Sequence, residues 1–196
     1  MRIYVDADSC PREARDMLLR FSTKRGIVAV FVANRPIPGI KIPWINNNGT
    51  EKANREKANL AKNETALMEI CPKDEGAADD RIVALACQGD LAITRDLPLA
   101  ERLVERDITV LDDRGRIYTR ENIRERRSLR DFTVGLARNG METERTRTYG
   151  KKELNAFANS LDRELSRLTK GTLNNDSNTE HPCPVIPPQD KGSGSA

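Results

Sequence analysis

The chain has 196 residues, enough for one domain with a substantial core, and 33 Lys and Arg against 30 Asp and Glu leave a formal net charge of +3. That near balance says little about partners, so any charged function has to come from local clustering. No run of about 18 apolar residues is present, and Met1-Arg2-Ile3-Tyr4-Val5-Asp6 lacks the apolar stretch and cleavage site of an export signal, so a cytoplasmic, non-membrane protein is expected.

In chain order, Arg2 to Val5 is a short β-rich run ending at Asp6-Ala7-Asp8, and Ser9 and Pro11 then carry N-cap and first-turn signals. Ala14, Met17, Leu18 and Phe21 fall at helical spacing, with Gly26 closing the helix. Ile27 to Ala33 is almost continuously apolar, as in a strand covered on both faces. Pro36, Pro38, Gly39, Pro43 and Asn46-Asn47-Asn48-Gly49 break the pattern, and the polar stretch 46–62 reads as a surface insertion of weak helical character.

Thr65 to Ile70 reads as a third strand, and Gly76-Ala77-Ala78-Asp79-Asp80 opens a helix carrying Ile82, Val83, Leu85 and Ala86 that Gly89 ends. Leu91 to Thr94 is a fourth strand, followed by Arg95-Asp96, a helix through Leu99 and Leu103, and a fifth strand at Ile108 to Leu111. Arg120 to Arg138 reads as helical, and the spacing of Leu154, Phe157, Ala158, Leu161, Leu165 and Leu168 predicts a last helix. The alternation implies a three-layer α/β/α sandwich with a mainly parallel central sheet over residues 1–170. Residues 171–196, rich in Asn, Ser, Pro and Gly, read as a disordered tail.

Cys10, Cys71, Cys87 and Cys183 form no Cys-x-x-Cys pair, and His181 is the only histidine, which disfavours both a zinc site and a disulfide framework. Reduced thiols are expected, with Cys87 a small core residue on an apolar helix. With no histidine in the domain, hydrolysis would have to use carboxylates, Lys, Cys or a metal.

Ligands of an open parallel sheet bind beyond the carboxyl ends of its strands. Asp6 and Asp8 follow the first strand, Asp96 follows the fourth, and Asp79-Asp80 open the helix before it. Gathered carboxylates repel unless a cation offsets them, and hard oxygen donors suit Mg²⁺ or Mn²⁺. Two such ions could activate water and stabilise a leaving oxygen in phosphodiester cleavage. Each acid taken alone is also explained as a helix cap or a partner of a helix dipole. Of the doubled pair, Asp80 is expected to face the cation and Asp79 to sit nearer a cap.

The runs Ile3-Tyr4-Val5-Asp6-Ala7-Asp8-Ser9-Cys10-Pro11, Val32-Ala33-Asn34 and Gly76 to Val83 resemble the bacterial YaiI/YqxD family. Gly89-Asp90-Leu91-Ala92-Ile93-Thr94-Arg95-Asp96-Leu97-Pro98, Arg114 to Ile123 and Phe157 to Arg163 extend the resemblance over most of residues 1–168. That family is similar to the PIN-like nuclease superfamily. The resemblance implies a PIN-like fold and metal-binding roles for Asp6, Asp79 or Asp80, and Asp96, with Asp8 as an additional ligand and Thr94 orienting the Asp96 turn. It also implies catalytic duties for Asp6, Asp80 and Asp96, with Ser9 supporting the site, and RNA ahead of DNA as substrate. The single Glu often found in PIN nucleases is here the doubled Asp79-Asp80.

Arg114, Arg116, Arg120, Arg124, Arg126, Arg127 and Arg130 lie in a short stretch whose only acids are Glu121 and Glu125, and Arg114, Arg116, Arg120, Arg124 and Arg127 are the candidate contacts to a nucleic-acid backbone, unless the stretch forms a solvated helix face paired with Glu. Two other readings compete with a nuclease. One is a haloacid-dehalogenase-type phosphatase, which also places Asp-x-Asp after its first strand with the first Asp as nucleophile. The other is a nucleic-acid or partner-binding domain with a non-catalytic metal site.

Overall fold

A computed structural model describes residues 1–37, 40, 65–138 and 149–173. The stretch 46–62, the chain beyond 173, Cys183 and His181 lie outside the described residues. Strands β1 (Ile3–Asp6), β2 (Ala29–Ala33), β3 (Ala66–Ile70), β4 (Leu91–Ile93), β5 (Thr109–Leu111) and β6 (Ile117–Tyr118) form one sheet in the order β3-β2-β1-β4-β5-β6. All neighbours pair in parallel except β5 with β6. The two-residue β6 was not legible in the sequence. It exists because Asp112 folds the chain back: its Oδ1 accepts the amides of Arg114 at 2.9 Å and Arg116 at 2.7 Å.

Among the described residues, five helices cover the sheet: α1 (Arg12–Arg25), α2 (Ala77–Leu85), α3 (Leu97–Glu105), α4 (Arg120–Arg138) and α5 (Lys151–Leu173). The alternation of strand side chains sorts them into two layers. Ile3, Val5, Phe31 and Ile93 point toward Ala14 and Leu18 of α1 and Phe157, Leu161 and Leu165 of α5. Tyr4, Val30, Val32, Ala92 and Val110 point toward Ile82 of α2, Leu99, Leu103 and Val104 of α3 and Ile123 of α4. The expected three-layer α/β/α architecture with a mostly parallel sheet is therefore present. No described helix is long and apolar enough to cross a membrane.

Three local expectations change. Helix α1 begins at Arg12 with Pro11 as its cap residue and no side-chain cap, so Ser9 is not an N-cap. Cys87 is half-buried and lies beyond α2, where Asp90 accepts its amide at 3.0 Å and that of Arg2 at 2.7 Å, holding a turn in place of the helix. The last helix continues to Leu173, three residues past the expected boundary at 170.

Candidate active site at the carboxyl edge of the sheet

The chain leaves β1 toward β2 on one side and enters β4 on the other, so the order reverses between β1 and β4. At such a switch point the two following loops diverge and open a crevice. Asp6 ends β1 at this crevice, and the turn Thr94-Arg95-Asp96 follows β4 directly beside it.

The side chains interlock there. Buried Thr94 donates its hydroxyl to Asp6 Oδ2 at 2.8 Å and accepts the Asp96 amide at 3.0 Å. Ser9 also donates its hydroxyl to Asp6 Oδ2, at 2.7 Å, and its amide lies 3.4 Å from Oδ1. Asp96 precedes α3 but makes no side-chain cap bond; its carboxylate instead stands 3.8 Å from Arg130. Helix α2 likewise starts from Gly76 without a side-chain cap. Capping thus accounts for none of these carboxylates.

Helix α2 packs against β1 and turns Asp79, not Asp80, toward the crevice. Burial and then the carboxylates of Asp6 and Asp96 push the Asp79 carboxyl up to about 6, against the opposing pull of Arg102. Asp80 is exposed and accepts a hydrogen bond from Arg102 at 2.7 Å. The expected orientation of the pair is therefore reversed, because consecutive residues on a helix point about 100° apart and buried Ile82 fixes the rotation. Asp8 stays at the same sheet edge but is committed to β2: its Oδ2 accepts the Asn34 amide at 3.2 Å, and Arg35 lies 3.7 Å from Oδ1.

Sequence reasoning passed over Asp112 and Asp113, which follow β5 and are 5% and 1% exposed. Burial raises both carboxyls; the amides of Arg116 and Arg114 oppose this at Asp112, and Arg95 opposes it at Asp113. The signal that could have found them is the one that found Asp6 and Asp96, an acid immediately after a strand. Cys10 also lies close, but burial, reinforced by Asp113 and Asp6, pushes its thiol up to about 12, which removes it as a nucleophile near neutral pH.

A cleft of about 530 Å³ adjoins this edge, and its lining includes Arg95, Arg114, Arg116, Arg126 and Arg130. Arg114 and Arg116 belong to the candidate backbone contacts expected from the sequence, and Arg126 and Arg130 to the same basic stretch. Arg120 is engaged by Asp107 at 2.7 Å, Arg127 by Glu101, and Arg124 is exposed outside the cleft lining. Helix α4 carries two arginine stripes at helical spacing, and the burial of Ile123 decides which one turns inward.

The all-oxygen donor set suits a hard cation such as Mg²⁺ or Mn²⁺, and a cation would relieve the repulsion felt at Asp79. The spacing does not close into a coordination shell: among the described residues, no group of three or more His, Cys, Asp or Glu is arranged to hold a metal ion. Asp6 contributes to this, since both of its oxygens already face Ser9 or Thr94.

A family model described as "Uncharacterized BCR, YaiI/YqxD family" matches residues 52–167. A UPF0178 protein of Treponema pallidum (strain Nichols) is 41% identical over 170 residues, covering 87% of this chain and 84% of the relative. UPF0178 proteins of Treponema denticola and Syntrophobacter fumaroxidans are 38% and 39% identical, each covering 87% of this chain, with 95% and 97% of the relatives covered. No solved structure matches the chain.

Proposed function

The chain belongs to the YaiI/YqxD family, and from that premise we propose that it is a divalent-cation-dependent hydrolase of phosphodiester bonds acting on nucleic acid, RNA ahead of DNA. The observation that carries this reading is the delivery of Asp6, Asp79 and Asp96 by three separate elements to one crevice beside an arginine-lined cleft. Were Mg²⁺ or Mn²⁺ bound, these carboxylates would be the residues to hold it, and it would supply an activated water and charge for the leaving oxygen. The protein's own part is positional. Thr94 ties Asp6 to the Asp96 turn, and the arginines neutralise phosphate charge.

A second reading, nucleic-acid or partner binding without catalysis, is favoured by the engagement of both Asp6 oxygens within the protein. The haloacid-dehalogenase-type alternative is disfavoured by the short path from Asp8 to the start of α1 at Arg12, which leaves no room for a flap.

The test incubates purified protein with single-stranded RNA and DNA in Mn²⁺, alongside Asp96→Asn. Cleavage should need the cation, and the variant should lose about a hundredfold or more while remaining folded. Equal cleavage by both proteins would identify a contaminant. Binding without cleavage across substrates would establish the second reading instead.

A further inference from the structure

The arginine-lined cleft has features that phosphodiester hydrolysis does not require. Its lining also holds Leu97, Leu129 and Val134, and the last two remain exposed although apolar. Two buried polar groups in the same lining lack hydrogen bonds among the described residues. Among the described residues no other residue's donor reaches either carboxylate oxygen of Asp113 in hydrogen-bond geometry, its ion-pair partner Arg95 standing 3.4 Å away, and Arg126 Nε donates none. Leaving a buried polar group without a hydrogen bond forfeits the bonds it made to water, and folded proteins retain few such groups. An unmet acceptor and an unmet donor in one cleft are complementary to a ligand that carries both polarities. The cleft volume of about 530 Å³ is that of a small-molecule site.

We infer that this cleft binds a nucleoside monophosphate unit. The inference deepens the hydrolytic reading and rests on it only for the source of that unit, an end of the nucleic-acid substrate. Arg114, Arg116 and Arg130 hold the phosphate through charge-assisted hydrogen bonds. Asp112 serves them as a positioning residue, because it accepts the amides of Arg114 and Arg116 and so sets the turn that carries both. The base lies against Leu97, Leu129 and Val134, where its faces leave water. Arg95 Nε, 3.4 Å from Asp113 on a half-exposed side chain, moves onto the phosphate, and Asp113 then accepts from a base N–H or a ribose hydroxyl. Arg126 Nε donates to an acceptor of the same unit. Inorganic phosphate offers neither a flat apolar face nor a substituent long enough to reach Asp113.

The experiment is calorimetric titration of the full chain in EDTA with adenosine and guanosine 5′-monophosphates, ribose 5-phosphate and inorganic phosphate. At least one nucleotide should bind about tenfold or more tightly than ribose 5-phosphate or phosphate. Arg116→Ala with Arg130→Ala should weaken the nucleotide about tenfold or more, Asp113→Asn should weaken it severalfold, and Arg20→Ala on α1 should not change it. Should Asp113→Asn fail to fold, Leu129→Ser on an exposed position serves instead, and it should weaken the nucleotide while sparing phosphate. Nucleotide binding no tighter than phosphate, no binding at millimolar concentration, or indifference to the cleft variants would overturn the inference. Binding that appears only with Mn²⁺ would overturn it too, since Asp113 would then be a cation ligand. Nucleotide binding without nuclease activity would remove the hydrolytic reading alone, and cleavage without nucleotide binding would remove this inference alone.

Discussion

Thr94 holds the acidic edge together because one hydroxyl serves two elements, donating to Asp6 at the end of β1 and accepting from the amide of Asp96 after β4. Thr94→Val keeps the shape and deletes both bonds in a site that is 2% exposed. It should cost about 1–3 kcal/mol in urea unfolding, with Thr94→Ser recovering most of it. Equal stability of the Val variant and the parent would show that the bonds are not formed. Asp79 gives a pH signature. Its carboxyl rises from the ordinary 3.8 to about 6 on folding, so the native state holds the proton more tightly than the unfolded chain. Its contribution to stability is complete below about 3.8 and is lost as pH climbs through about 6, leaving a penalty at neutral pH. In EDTA, Asp79→Asn should therefore gain melting temperature relative to the parent between pH 4 and pH 7, modestly because Asp79 keeps solvent contact. A gap that narrows or reverses over that range would contradict the assigned repulsion.

At the scale of elements, the β5–β6 hairpin is shared by the core and the cleft. Gly115 sits at φ +81°, and a Cβ there would come 2.5 Å from the backbone oxygen of Ala156 on α5. Ser160 of the same helix donates its hydroxyl to Gly115 O at 2.7 Å, so α5 seats directly on the turn that presents Arg114 and Arg116. Gly115→Ala combines a left-handed backbone with a clash against main chain and should lose about 2 kcal/mol or more in denaturant unfolding. Because the turn would shift, affinity for a phosphate-bearing ligand should fall with it, whereas Gly135→Ala, with open space around its Cβ site in α4, should do neither.

For the whole molecule, the sheet needs both helical layers, and the last helix supplies much of one of them. Phe157, Leu161 and Leu165 are fully buried against Ile3, Phe31 and Ile93, residues from the beginning of the chain to its middle. Phe157→Ala should destabilise by about 3–5 kcal/mol, read as a lower denaturant midpoint with an unchanged slope. A loss under about 1 kcal/mol would mean that α5 is an appendage of a sheet stable without it.

The layered architecture was legible in the sequence because its signals are local. The run Ile27 to Ala33 is apolar throughout since a central parallel strand is covered on both faces, and Leu154 to Leu168 repeats at helical period since only one face of α5 is buried. Asp6 and Asp96 could be placed at one edge because parallel strands expose the same end, and Asp6 ends one strand while Asp96 lies in the turn after another. The rest depended on tertiary contacts. Which of Asp79 and Asp80 faces the crevice, and which arginine stripe of α4 faces the cleft, is a matter of helix rotation, set by the packing of Ile82 and Ile123. Asp112 and Asp113 carried a readable signal, acids directly after a strand, but their place beside the Asp96 turn follows from the pairing of β5 with β4, which depends on which apolar faces meet in space rather than on order along the chain.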